Sequence, residues 1–243
     1  MFWSFTTAFI FWRSSITGDG IWVKRMRTVI FDMDGVLFDT ERLCLDSWMA
    51  VAEEHGLEGM EEVFPKCIGL NRNDTMQVVK QAYGNDFDYA GFSSLASAWF
   101  QAYTEKNGLP VKPGVKPILE WLREAGWTVG LASSTRRGRV LEQLEQAGIL
   151  PYFSAIVTGD MVEHSKPLPD IYLMACRELG AKPEEAYAIE DSPNGIRSAH
   201  AAGMRPLMVP DMIAPDREME QLSYRIMKDL YEVLEFFRNE QER

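Results

Sequence analysis

The residues with the most chemistry to offer lie in Val29-Ile-Phe-Asp-Met-Asp-Gly-Val-Leu-Phe-Asp-Thr-Glu41. An apolar strand runs into Asp32, a second aspartate follows at Asp34, and Gly35 lets the chain turn. Side chains alternate faces along a strand, so Asp32 and Asp34 project to the same side where it ends. Two carboxylates held this close repel unless a cation sits between them or a reaction uses them. One can attack phosphorus while the other moves a proton, and Mg2+ can offset their repulsion. Alone, D-x-D is equally compatible with a solvated acidic turn.

Three further stretches follow it in order. Trp127-Thr-Val-Gly-Leu-Ala-Ser-Ser-Thr-Arg136 ends an apolar run in hydroxyls. Ser133 and Ser134 can hydrogen-bond a phosphate, or Ser134 or Thr135 can cap the next helix. His164-Ser-Lys-Pro-Leu-Pro-Asp-Ile-Tyr172 carries Lys166, with Pro167 and Pro169 stiffening the turn before a helix that starts near Asp170. Ala186-Tyr-Ala-Ile-Glu-Asp-Ser-Pro-Asn-Gly195 delivers Glu190 and Asp191 to the end of another apolar run. A plain helix-capping role for Asp191 is the structural alternative.

Taken together, the four motifs resemble those of the haloacid dehalogenase superfamily, in the form found in its phosphatases and β-phosphoglucomutase-like members. The resemblance implies that Asp32 attacks phosphate to give an aspartyl-phosphate, while Asp34 protonates the leaving oxygen and then takes a proton back. It implies that Ser133 and Lys166 hold the phosphoryl oxygens. The Asp32 carboxylate, the Asp34 backbone carbonyl and Asp191 would hold Mg2+, with Glu190 the weaker candidate ligand and Asn194 a supporting partner of the acidic pair. Ser165 stands where the family more often has glycine. The implied function is a Mg2+-dependent phosphatase of small phosphorylated metabolites, sugar phosphates first among them. A β-phosphoglucomutase-type mutase is the alternative. Those mutases carry a cap histidine ten residues after the acid/base aspartate, and Cys44 occupies that place here, a thiol that cannot act as an imidazole. A non-catalytic phosphometabolite-binding relative is a third reading, although every nucleophile and metal residue is kept. Arg72 aligns with a cap arginine, and Arg136 with a core lysine, that grip a distal phosphate in the mutases; solvated helix starts are the bland alternative. Thr40 is a further candidate for substrate contact, with Asp39 bracing its loop.

The elements that must position these residues can be read from periodicity. Apolar strand candidates near 28–32, 127–132, 154–158, 186–190 and 205–209 alternate with amphipathic segments near 115–126, 136–148, 169–180 and 193–203. That alternation predicts an α/β fold, a Rossmann-like parallel sheet with helices on both faces and ligands beyond the carboxyl ends of its strands. Between Thr40 and Pro113 strand signals vanish, and helical periodicity over Arg42–His55, Arg72–Tyr83 and Phe92–Lys106 predicts an inserted helical cap domain. The expected division is a core of 26–40 and 113–243, a cap of 41–112 with a hinge at Lys112-Pro-Gly-Val115, and an extension, 1–25, upstream of a natural start at Met26. Tyr224–Arg243 reads as a charged amphipathic helix that packs Leu230, Val233, Leu234 and Phe237 on the core.

With 36 acidic and 25 basic residues among 243, the formal net charge of −11 argues against a nucleic-acid partner. A phosphorylated substrate must then rely on local positive charge. The apolar start, Met1–Trp12, is too short to span a membrane. Three cysteines without C-x-x-C spacing fit free thiols in a reducing cytoplasm. The expected state is a monomer or weak homo-oligomer whose partner is a small phosphorylated metabolite.

Overall fold

The computed structural model of the chain describes residues 27–68 and 72–242. The extension Met1–Arg25 and the Arg72 side chain lie outside the described residues. Six strands form one sheet: β1 (Thr28–Phe31), β2 (Thr128–Ser133), β3 (Ala155–Thr158), β4 (Ala186–Glu190), β5 (Arg205–Met208) and β6 (Arg225–Ile226). Their order is β3-β2-β1-β4-β5-β6, and every pairing is parallel. The α/β fold expected from the alternation is present. The chain steps from β1 to β2 and β3 on one flank, then returns to lay β4 against the other side of β1. At such a reversal a doubly wound sheet opens a crevice beyond its strand ends. Phe31 pairs with both Leu131 and Ile189, so Asp32, Ser133 and Glu190 leave the sheet along one edge.

Between β1 and β2 the chain builds α1 (Thr40–Glu54), α2 (Met60–Val63), α3 (Arg72–Tyr83) and α4 (Tyr89–Asn107). These helices enclose an apolar cluster of their own, in which Trp48 stands edge-on to Phe64 and Phe92 at 5.1 and 5.2 Å. Entry and exit run side by side: Asp39 N–H donates to Pro110 O, and Lys112 N–H to Leu37 O, each at 2.9 Å. The four-residue α2 is too short to show a helical period in the sequence.

After the insertion come α5 (Val115–Glu124), α6 (Arg137–Gln146), α7 (Asp170–Glu178), α8 (Pro193–Ala201), α9 (Arg217–Leu222) and α10 (Leu230–Glu242). In α5, Val115, Ile118, Leu119 and Leu122 are all buried, the spacing of one helix face turned to the sheet. The C-terminal helix begins at Leu230 rather than Tyr224, because Arg225–Ile226 first adds an edge strand against β5. Its expected inner face holds: Phe237 is fully buried, 4.7 Å from Trp127 and 5.3 Å from Tyr187, centroid to centroid. No helix among the described residues is long and apolar enough to cross a membrane.

Candidate active site

β1 delivers Asp32 one residue past its end, where Asp32 N–H still donates to Ile189 O at 2.9 Å. Lys166 reaches this point from the loop before α7. Its ammonium has three donors and uses all of them, to Asp32 Oδ1 at 2.5 Å, Glu190 Oε1 at 2.6 Å and Ala132 O at 3.0 Å. Burial alone would lower the lysine's pKa, but the two carboxylates outweigh it and raise it, so the group is a fixed cation. Burial pushes the Asp32 carboxyl well above its ordinary range, with Glu190 and Asp34 adding to the rise and Lys166 opposing it.

Glu190 is completely buried and its oxygens are committed. Tyr172 OH donates to the same Oε1 at 2.7 Å, and Ser192 Oγ donates to Oε2 at 3.2 Å. The Tyr172 ring also lies 5.1 Å from the Lys166 ammonium, and burial together with Glu190 keeps its hydroxyl protonated. Tyr172 was not among the residues singled out from the sequence. The available signal was its place in the same motif as Lys166, the lysine standing in the loop and the tyrosine in the first turn of α7.

Asp34 sits in a tight turn in which Leu37 N–H and Phe38 N–H both donate to Met33 O. Gly35 has a φ of +79°, and a Cβ there would overlap the Asp191 carboxylate, so only glycine fits the turn against that acid. Across the sheet edge, Thr135 Oγ1 donates to Asp34 Oδ2 at 2.9 Å, and Ser133 Oγ accepts from Thr135 N at 3.1 Å. This corrects the capping expectation for Ser134 or Thr135. Arg136 is the N-terminal flanking residue of α6 and makes no side-chain cap, while Ser134 is exposed. Asp191 is likewise no cap; Ser192 caps α8, accepting from Gly195 N at 3.1 Å.

Asn194 Oδ1 accepts from Arg197 at 3.0 Å, and Asn194 borders the smaller cleft together with Asp191. Thr40 opens α1 with a buried hydroxyl that has no hydrogen-bond partner among the described residues. Two clefts meet at Glu41 and Ile68. One, of about 400 Å³, runs between α1, α4 and the start of α6; the other, of about 340 Å³, is bordered by Asp191, Asn194 and Arg197. Neither has Asp32 or Asp34 in its wall, which puts both clefts beside the aspartates rather than on them. Arg139, in the first turn of α6, lines the larger cleft from the sheet side; Arg136 lines neither cleft, and both arginines are exposed.

Asp32, Glu190 and Asp191 bring one oxygen each within 4.8 Å of one another. Three buried or nearly buried carboxylates face one ammonium, and burial followed by Glu190 and Asp32 pushes Asp191 far above its ordinary range. Asp191 makes no hydrogen bond to another described residue, so its oxygens are free to bind. The set is all oxygen, which suits a hard divalent cation.

Known proteins resemble this chain in sequence and in fold. The family model described as haloacid dehalogenase-like hydrolase matches residues 29–209. The chain belongs to that family. A phosphorylated carbohydrates phosphatase of Thermotoga maritima is 32% identical over 184 residues, 74% of this chain and 82% of that one. A fructose-1-phosphate phosphatase of Escherichia coli is 29% identical over 74% of this chain and 95% of its own. A haloacid dehalogenase family hydrolase of Deinococcus radiodurans, solved with bound phosphate and sodium, superposes with a TM-score of 0.77 at 28% identity, over 89% of this chain and 96% of that one.

Proposed function

We propose that this protein is a Mg2+-dependent phosphatase of small phosphorylated carbohydrates that works through an aspartyl-phosphate on Asp32. The observation that carries the reading is the 2.5 Å contact of Lys166 with Asp32, a buried carboxylate at a strand end with a second aspartate two residues on. Asp32 attacks phosphorus and the ester P–O bond breaks. Asp34 gives its proton to the departing alkoxide oxygen. Water then attacks the aspartyl-phosphate, Asp34 takes a proton from it, and inorganic phosphate leaves with the Asp32 carboxylate restored. Throughout, Lys166 faces the transferring oxygens with a charge that does not titrate in the working range, and Ser133 offers its hydroxyl from the end of β2. Asp32 and Asp191 would hold Mg2+, which when bound offsets the charge of the carboxylates and the phosphate. The division into a core and a closing cap of 41–112 fits the separate apolar cluster under α1–α4.

The names of the similar proteins, phosphatases of phosphorylated carbohydrates, support the substrate class. Cys44 weighs against a mutase. It lines the larger cleft where an imidazole would be needed, and burial pushes its thiol up to about 12, so it neither carries charge nor relays a proton near neutrality. The test is phosphate release by the full chain with Mg2+ and a panel of sugar phosphates. Asp32→Asn is expected to lower the rate by about 10³-fold or more. Undiminished release by that variant would end the proposal.

A further inference from the structure

Glu41 stands in the first turn of α1 and belongs to the walls of both clefts, so it marks their junction. Asp34 is near enough to bear on its charge, as are Asp211 and Lys112. The lysine is already committed, its ammonium 2.5 Å from Asp211 Oδ1. No hydrogen bond or ion pair joins Glu41 to another described residue, although it is partly buried. Burial raises its carboxyl, with Asp34 and Asp211 adding to the rise. A desolvated carboxyl with unused acceptor oxygens beside an acid/base residue is a feature of binding sites rather than of cores.

The rest of the larger cleft suits a polyhydroxylated molecule. Ser47 and Ser97 spend their hydroxyl protons on the backbone carbonyls of Cys44 and Ser93 and keep their lone pairs. Gln101 and Arg139 bring donors, and Trp48 and Phe100 supply apolar surface. A molecule rich in hydroxyls can donate to the first group and accept from the second.

We propose that Glu41 is a specificity-determining residue: it accepts a hydrogen bond from a substrate hydroxyl close to the phosphate ester, and so selects polyol phosphates over esters without hydroxyl groups. This rests on the phosphatase reading above and adds which residue reads the alcohol.

The test compares the full chain with Glu41→Ala and Glu41→Gln on two substrates, a hexose phosphate and phenyl phosphate, measuring kcat and KM for each. Hydrogen bonds to charged groups predict that Glu41→Ala lowers kcat/KM for the hexose phosphate about 10- to 100-fold, mostly through KM. Phenyl phosphate should stay within about twofold, and Glu41→Gln, which keeps one acceptor oxygen, should recover part of the loss. An equal loss on both substrates would show action through Asp34 and overturn the role, as would no change on either. A wild type that releases phosphate from neither substrate overturns the phosphatase reading, and the specificity role with it.

Discussion

Gly195→Ala sets two effects of opposite sign against each other. Gly195 lies in the first turn of α8, where alanine is the better helix former by up to about 1 kcal/mol, so propensity alone predicts a gain in stability. Packing predicts the reverse. A Cβ at this position would overlap the Glu190 carboxyl group, whose oxygens take bonds from Lys166 at 2.6 Å, Tyr172 at 2.7 Å and Ser192 at 3.2 Å. The carboxylate has nowhere solvated to go, being fully buried. Breaking a buried ion pair costs about 3–5 kcal/mol, which outweighs the propensity term and leaves a net loss of about 2–4 kcal/mol. Gly138→Ala is the matched control. It too lies at the start of a helix, α6, but a Cβ there meets nothing within 4 Å, so a gain on the order of 0.5 kcal/mol is expected. Urea unfolding of the two variants measures both signs, and phosphate release shows whether displacing Glu190 also disturbs Lys166 and Asp32. Wild-type stability together with wild-type turnover in Gly195→Ala would refute the claim that Glu190 is the fixed point around which the lysine is set.

Two smaller predictions follow from the same neighbourhood and its flank. Tyr172→Phe keeps the ring beside the Lys166 ammonium but removes a donor from buried Glu190, and urea unfolding should show a loss of about 1.5–3 kcal/mol. With its thiol pushed up to about 12 by burial, Cys44 should be alkylated by iodoacetamide at pH 8 about a thousandfold more slowly than a free cysteine, a ratio that peptide mass spectrometry can follow.

What was legible in the sequence was what depends on period and order. β1 and β4 are buried on both faces, so their runs are continuously apolar and end abruptly at acids, a contrast visible without coordinates. The run of helices between β1 and β2 showed itself by a change of period. Short pieces escaped: α2 and β6 carry four and two residues, less than a full repeat of their patterns needs. Within the site, the residues at strand ends were readable, while their partners were not. Thr135 was noticed as a possible cap, yet its hydroxyl crosses to Asp34, a contact between residues 101 apart in sequence. Asn194 and Arg136 show the opposite case. Each has a suitable side chain at a suitable place in the chain, but Arg197 takes the Oδ1 of the first, and Arg139 rather than Arg136 lines the larger cleft.

The adjacent acids Glu190 and Asp191 look redundant in sequence, and the structure gives them different tasks. Neighbouring residues leaving a strand face opposite ways. Glu190 turns inward, where Lys166, Tyr172 and Ser192 consume its oxygens. Asp191 turns toward Gly35 and the smaller cleft with its oxygens uncommitted. The buried glutamate therefore sets the lysine, and the lysine in turn sets Asp32, which leaves Asp191 to balance whatever charge the cleft admits. Burial and the neighbouring carboxylates push both Asp32 and Asp191 toward their protonated forms, and Lys166 opposes the rise. On the phosphatase reading proposed above, a divalent cation held there would add to Lys166 in keeping the carboxylates ionised. On the same reading, the groups that bind the phosphate's charge would also favour the ionised Asp32 that attacks it.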